Sequence, residues 1–329
     1  FARLAANADE MQRLAVKTGD ANCEAIAITI KALFMSNLTD CYGDVPYTEA
    51  FGNINGTGNN QPRFDTQRTV YENIIAELER ANTLYNPKEG INGSRDLLYG
   101  GDLTKWRKFT NSLYLRVLMR LSNRNEVFGV AEKINRVFTN PTSYPVFGSN
   151  DDNATLYYDD VEPFVNYFGS TTSSSFTSSR KTCSTIIDMM SIPGDPRISA
   201  YFVQGGERWK GRPSGMPSQE TDSDGIASLN RDNLGAYSSP YSFMKYDEVL
   251  FIFCEAIKRG WVAGGDPLAE EYYKQAITAS IRYWNSIDTK KTVITDKTIS
   301  NFLAKVPYNN TVEQIINQKY VALFWVGYE

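Results

Sequence analysis

The sequence predicts a mainly α-helical fold carrying a loop-rich insertion, and three observations predict it. Long stretches near both ends place apolar residues at steps of three and four, the period of a helix with one buried face. Between about residues 140 and 244 that period is lost, and Pro, Gly, Ser and Asp punctuate short apolar pieces. The apolar share of 42% and charged share of 22%, over 329 residues, are those of a globular chain long enough to bury a large core.

The elements follow in order. "FARLAANADEMQRLAV" starts the chain on a helical pattern. "ANCEAIAITIKALFMSNLTD" puts Ile26, Ile30, Leu33 and Phe34 on one stripe. The next stretch, "CYGDVPYTEAF", reads as a stop. Gly43 suits the left-handed position at a helix end, and Pro46 prevents continuation. Asp44 is expected to cap or bond the turn, with Val45 and Tyr47 pinning the exit to the core. A polar loop, "GNINGTGNNQPRF", occupies 52–64.

A second long helix is predicted in "DTQRTVYENIIAELERANTLY", with Asp65 as its N-cap and Val70, Ile74, Leu78 and Ala81 on its inner face. Another follows the Asp102 cap, with Trp106, Phe109, Leu113, Val117 and Leu121 buried. "EVFGVAEKINRVF" is a shorter helix behind it. Within 140–244 only "STIIDMMS" looks helical. Helices return in "KYDEVLFIFCEAIKRGW", in "DPLAEEYYKQAITASIRYWN" with Pro267 in its first turn, and in the terminal "TVEQIINQKYVALFWVGYE". Small residues Ala256, Ala276 and Ala279 suit two closely packed antiparallel helices, so this pair resembles a tetratricopeptide unit. No regular 34-residue repeat is present, so such units are degenerate. The reading is one domain: a helical scaffold over about 1–139 and 245–329, and an insertion over about 140–244. Both ends read as cuts in a longer precursor.

Composition excludes several functions. A net charge of −4 does not suit phosphate neutralisation, so nucleic acid is not expected as a partner. The absence of histidine excludes Ser-His-Asp and Cys-His catalysis and His-ligated metals in this stretch. Cys23, Cys41, Cys183 and Cys254 lack metal-site spacing and read as buried free thiols. No cofactor is expected. No apolar run approaches the roughly 18 residues that span a bilayer. Aromatics reach 13%, more rings than a core needs.

With these pieces in order, the chain resembles the SusD/RagB family, in its SusD-like branch from Bacteroidetes. The residues that carry the resemblance are "YGDVPYTEAF", "FDTQRTVYENIIAELERA", "YGGDLTKWRKFTNSLYLRVLMRLS", the "DPR" at 195–197, "YDEVLFIFCEAIKRGW" and "IINQKYVALFWVGYE". Each is weak alone; six in this order are specific, and they span most of the chain. The resemblance implies a degenerate tetratricopeptide-like scaffold and a cell-surface lipoprotein of the outer membrane. It implies an oligosaccharide or other nutrient as ligand and a SusC-like TonB-dependent transporter as partner, with no bond made or broken. No lipobox cysteine precedes Phe1, so the implied N-terminal lipid anchor is not in this chain. The family's aromatic and Arg-containing tail beyond Glu329 is not in it either.

Candidate ligand contacts are aromatics in the loop-rich region, because the apolar C–H face of a sugar stacks on a flat ring. They are Trp209 in "QGGERWKGRPSG", Tyr167 and Phe168 in "EPFVNYFGS", and Tyr201 and Tyr237. Trp106, Trp284 and Trp325 sit on helical stripes and read as core. The 52–63 loop offers Asn53, Asn55 and Arg63, a mixed donor and acceptor set for a polyol. Asp222 and Asp224 begin like a calcium loop without its remaining ligands, so ordinary Asx turns are the stronger reading. Glu255, in an apolar helix, needs a cation, and the expected partner is Arg116 or Arg120 in an inter-helix structural pair. Two other functions compete with nutrient binding. A protein- or peptide-binding tetratricopeptide scaffold would show a continuous concave groove. A helical glycosidase would show two carboxylates flanking a cleft at about 5–5.5 or 6.5–9.5 Å.

Overall fold

The computed structural model describes residues 1–52, 56, 59–169, 176, 181–215, 224–290 and 293–327. It is mainly helical, and the chain divides into two compact units. The first is Phe1–Gly148 with Gly260–Ala263; the second is Ser149–Arg259 with Gly264–Glu329. The second unit therefore takes the loop-rich stretch together with the C-terminal helices.

The first unit is a stack of helices: α1 (Ala2–Thr18), α2 (Ala21–Tyr42), α3 (Gln67–Leu84), α4 (Leu103–Arg120), α5 (Asn125–Phe128) and α6 (Val130–Thr139). Helix α2 packs on α1, α3 and α4. That explains why it buries Ala25, Ala27, Ile28, Ala32 and Met35 besides Ile26, Leu33 and Phe34, whereas Ile30 is only half-buried. Helix α1 is buried through its own alanines, Ala5, Ala6, Ala8 and Ala15, and small residues let two backbones approach closely. The predicted faces of α3 and α4 are buried as read. Arg120 pairs with Asp40 of α2.

The stop after α2 is built from backbone and carboxylates. Gly43 has φ 74° and ψ −117°, a region open only to glycine, rather than the left-handed helical one, and its N–H donates to the Thr39 carbonyl at 2.7 Å. Val45 pairs with Asp65 as a short antiparallel bridge, with Pro46 in the extended segment that follows. Asp44 Oδ1 accepts the Gln67 N–H at 2.8 Å, so it serves the start of α3. The N-cap of α3 is Thr66, not Asp65. Asp65 instead faces back and accepts the N–H groups of Tyr47 (2.9 Å) and Thr48 (2.7 Å).

The second unit opens with two short antiparallel sheets: β1 (Ala154–Leu156) on β4 (Tyr241–Met244), and β2 (Phe202–Gly205) on β3 (Gly225–Leu229). Helices α7 (Ser184–Ser191), α8 (Ile198–Tyr201) and α9 (Arg231–Leu234) lie among them; only α7 had been legible. Then come α10 (Tyr246–Lys258), α11 (Gly265–Ile287), α12 (Asp296–Lys305) and α13 (Val312–Ala322). Helices α10 and α11 form a hairpin, and α13 packs on both. Glu255 takes its cation from Arg259 one turn along α10, at 2.7 Å, rather than from Arg116 or Arg120 on α4. An own-helix partner four residues away needs no second element to be placed correctly. Arg116 is buried in α4.

The core of this unit contains ions. Arg197, with no exposed surface, makes a two-pronged pair with Asp195 at 2.9 and 2.6 Å. It also donates to Ser280 Oγ of α11 at 3.0 Å and Gln318 Oε1 of α13 at 3.2 Å. Lys245 and Asp247, both fully buried, pair at 2.7 Å, and Lys245 donates to the Ala322 carbonyl at 3.0 Å.

Removing one member of a buried pair strands the other charge. Asp195→Ala is expected to cost about 3–5 kcal/mol in urea denaturation, while Arg68→Ala, which breaks the exposed Arg68–Glu72 pair, should change stability by about 0.5 kcal/mol or less. Equal effects would refute the ranking. A pH test applies to Asp65. Partial burial raises its pKa, but the N–H groups of Thr48 and Tyr47, the Thr48 hydroxyl and the Arg63 charge outweigh that, and the net is below the ordinary value. Its contribution is thus full above the unfolded pKa of about 3.9 and is lost as pH falls through the lower folded one. Asp65→Asn should cost about 1 kcal/mol at pH 7, discounted for solvent exposure, and the gap to the parent should narrow progressively as pH falls below about 3.9.

Candidate ligand-binding surface

One buried asparagine assembles an aromatic platform in the second unit. Asn166 donates its N–H to the Tyr237 carbonyl and its Nδ2 to the Ser239 carbonyl, each at 2.8 Å. Its Oδ1 accepts the Phe168 N–H at 2.9 Å, and its carbonyl accepts the Gly169 N–H at 2.8 Å. These bonds bring together three of the expected residues. Tyr167 is 85% exposed and Tyr237 40% exposed, whereas Phe168 is half-buried. Tyr167 meets Phe168 edge to face, with ring centroids 5.4 Å apart. Phe168 rests in turn on Trp325 (5.3 Å) and Phe176 (6.0 Å). Trp325 is therefore half-buried beneath the platform rather than core, and it holds a positive φ of 61°.

Gly169 has a steric reason to be glycine. A Cβ there would lie 2.7 Å from Tyr237 Cδ1 and 2.9 Å from its Cα. The Tyr237 chain therefore packs directly on the Gly169 backbone. Arg231 Nη2 donates to the Gly169 carbonyl from below at 3.4 Å.

The other expected aromatics part company with the platform. Tyr201 has no exposed surface and donates its hydroxyl to the Val321 carbonyl at 3.1 Å. It stacks on Phe324 (4.9 Å) and meets Trp284 (4.4 Å), so it is a core residue and not a ligand contact. Trp209 is half-buried, with one side packed on the cluster around Tyr201, Phe202 and Trp284. Its neighbour Lys210 donates to the Asp224 carbonyl at 3.1 Å. Asp222 lies outside the described residues, and among the described residues no cluster of three or more Cys, Asp or Glu could hold a metal ion. The cysteines are free; Cys254 is buried, Cys23 and Cys183 half-buried, and Cys41 exposed, contrary to expectation.

Gly52 and Asn59 of the 52–63 loop line a cleft of about 540 Å³ in the first unit, whereas Arg63 does not. Asn53 and Asn55 lie outside the described residues. Arg63 is committed to Glu49 at 2.6 Å, and Asn59 Nδ2 donates to the same carboxylate at 2.9 Å. The cleft floor is the buried Lys31, which donates to Gln12 at 2.7 Å and pairs with Glu77 (3.1 Å) and Asp9 (3.5 Å). Tyr47 donates to Glu77 at 2.8 Å, and burial together with the Glu77 charge holds its phenol well above the ordinary pKa. The cleft carboxylates are thus engaged with cations and donors.

Sequence reasoning found the rings but not Asn166, whose partners lie some seventy positions away. The only local signal was an Asn before an aromatic pair and a Gly.

Comparison with known proteins gives one answer. The profile of the SusD-like family described as starch-binding and associating with the outer membrane matches residues 1–329. Among solved structures, the chain is similar to an outer-membrane protein of Bacteroides vulgatus associated with nutrient binding. The identity is 26% and the TM-score 0.87, over 99% of this chain and 76% of that one. It is also similar to a SusD homologue of Bacteroides fragilis (25%, TM-score 0.84, 98% and 73%). A chitin-binding protein is similar at 25% identity and TM-score 0.81, over 98% and 70% of the two chains. None of the curated proteins matches the chain. With its whole length covered by that profile and its fold shared with SusD homologues, the chain belongs to the SusD-like family.

Proposed function

We propose that this protein is a surface glycan-binding receptor that delivers its ligand to a partner TonB-dependent outer-membrane transporter and performs no chemistry on it. The observation that carries the reading is the Tyr167–Phe168–Tyr237 platform. It puts ring faces in water at a position fixed by Asn166, and the apolar face of a pyranose stacks on such rings. Family membership supports the ligand class, and its description supports the outer-membrane setting. One similar structure is a chitin-binding protein, which supports a polysaccharide. Among the described residues no helix is long and apolar enough to cross a membrane, so attachment through an N-terminal lipid belongs to the proposal. The cleft carboxylates Asp9, Glu49 and Glu77 are tied into ion pairs, an arrangement that suits structure better than acid–base work. Delivery would work by local concentration: a receptor held at the transporter mouth makes capture effectively intramolecular.

The direct test is an array of starch- and chitin-derived oligosaccharides followed by calorimetry. Tyr167→Ala and Tyr237→Ala should each weaken binding about 5- to 10-fold, a stacking contribution of roughly 1 kcal/mol, with an unchanged melting temperature. Gly169→Ala should weaken binding similarly by displacing Tyr237, whose ring would be met at 2.7 Å. Wild-type affinity in all three variants would remove the platform from the site. Co-purification with a transporter encoded beside this protein tests the partner.

A further inference from the structure

We propose that the loop from Tyr157 to Phe164 docks on a basic surface of the partner transporter, its exposed apolar side chains serving as anchors and its carboxylates as a charged rim. This rests on the transporter partnership proposed above and adds the surface and the charge through which it forms.

The loop is tied in place at both ends. Its feet are pinned to one short segment: Leu156 pairs with Tyr241, and the Asn166 N–H donates to the Tyr237 carbonyl. Between them the chain closes on itself, with the Asp159 N–H donating to the Phe164 carbonyl (2.9 Å) and the Phe164 N–H to the Val161 carbonyl (3.1 Å). Within these ties the loop leaves its apolar groups in water: Tyr157 and Val161 are each 70% and Phe164 51% exposed. Apolar groups exposed together on one ordered segment, rimmed by charge, mark a protein contact surface. Because the backbone is already closed by its own hydrogen bonds, little of its ordering has to be done on docking.

Charge selects the partner. Asp159, Asp160 and Glu162 are exposed, and among the described residues no cation pairs with them. No Lys or Arg occurs between Arg136 and Arg180, while Asp151 and Asp152 precede the loop with the same sign. An anionic lipid surface or a nucleic acid would be repelled. A second copy docking symmetrically through this loop would bring like charges together. A neutral glycan would leave the carboxylates unused. A protein surface carrying Lys and Arg meets the rim with opposite charge, while its apolar centre takes Tyr157, Val161 and Phe164. Tyrosine in particular is enriched among the few residues that dominate such contacts.

The test is binding to the transporter encoded beside this protein, purified in detergent and measured by biolayer interferometry. Affinity for the starch- and chitin-derived oligosaccharides is measured in parallel. Wild-type affinity for the transporter should fall about tenfold between roughly 50 and 300 mM salt. The charge-reversed Asp159→Lys/Asp160→Lys/Glu162→Lys variant should bind it at least about 30-fold more weakly, and Tyr157→Ala/Phe164→Ala about 10-fold more weakly. Both variants should keep the wild-type melting temperature and stay within about 2-fold in oligosaccharide affinity, since the changes are on the surface. Wild-type transporter affinity in either variant, or a loss of oligosaccharide affinity in them, overturns the docking loop and leaves the partnership in place. So does self-association of the wild-type protein that the variants abolish, which would assign the loop to a second copy. No transporter binding by the wild-type protein at either salt concentration overturns the partnership itself.

Discussion

Arg197 is a full cation with no contact to water, and much of the second unit is arranged around it. Ionising it there is tolerable because Asp195 meets it with two oxygens and Ser280 and Gln318 accept from its Nη1 and Nη2. Those partners come from the loop before α8, from α11 and from α13, so satisfying one charge fixes three elements. Lys245 repeats the device from the other side, through Asp247 and the last carbonyl of α13. Helix α13 held in this way sets the turn that follows it, where Trp325 lies under Phe168. Through that ring the buried ions position the exposed platform. The exposed rings on these loops thereby gain support from the core.

The parts legible in the sequence are those governed by local rules. Helical stripes exposed Val70, Ile74 and Leu78 of α3, and Trp106, Phe109 and Leu113 of α4, because a period of 3.6 writes burial directly into spacing. Gly43 and Pro46 declared the end of α2 for equally local reasons. Misreadings occurred where long-range packing chose between local equivalents. Tyr201 sits in a single helical turn, too short to show a period, so nothing near it distinguished a core ring from a surface one. Asp65 and Thr66 are both competent caps, and pairing with Val45 turned Asp65 away from α3. Glu255 had cations on two helices within reason, and spacing alone favours the one four residues away. Asn166 was invisible because its function lies in bonds to Tyr237 and Ser239, which only the fold brings near.

The platform's construction also bears on how strongly it should hold a ligand. Rings on mobile loops must be ordered when a sugar binds, and each immobilised side chain costs about 0.5–1.5 kcal/mol. Here Asn166 and the close Gly169–Tyr237 contact have ordered them already. The rings stand exposed at the surface, so a single contact gains little and is easily reversed. On the glycan-binding proposal, affinity would then come from the number of rings engaged, and preorganised but shallow contacts would release a ligand more readily than a deep pocket of the same rings.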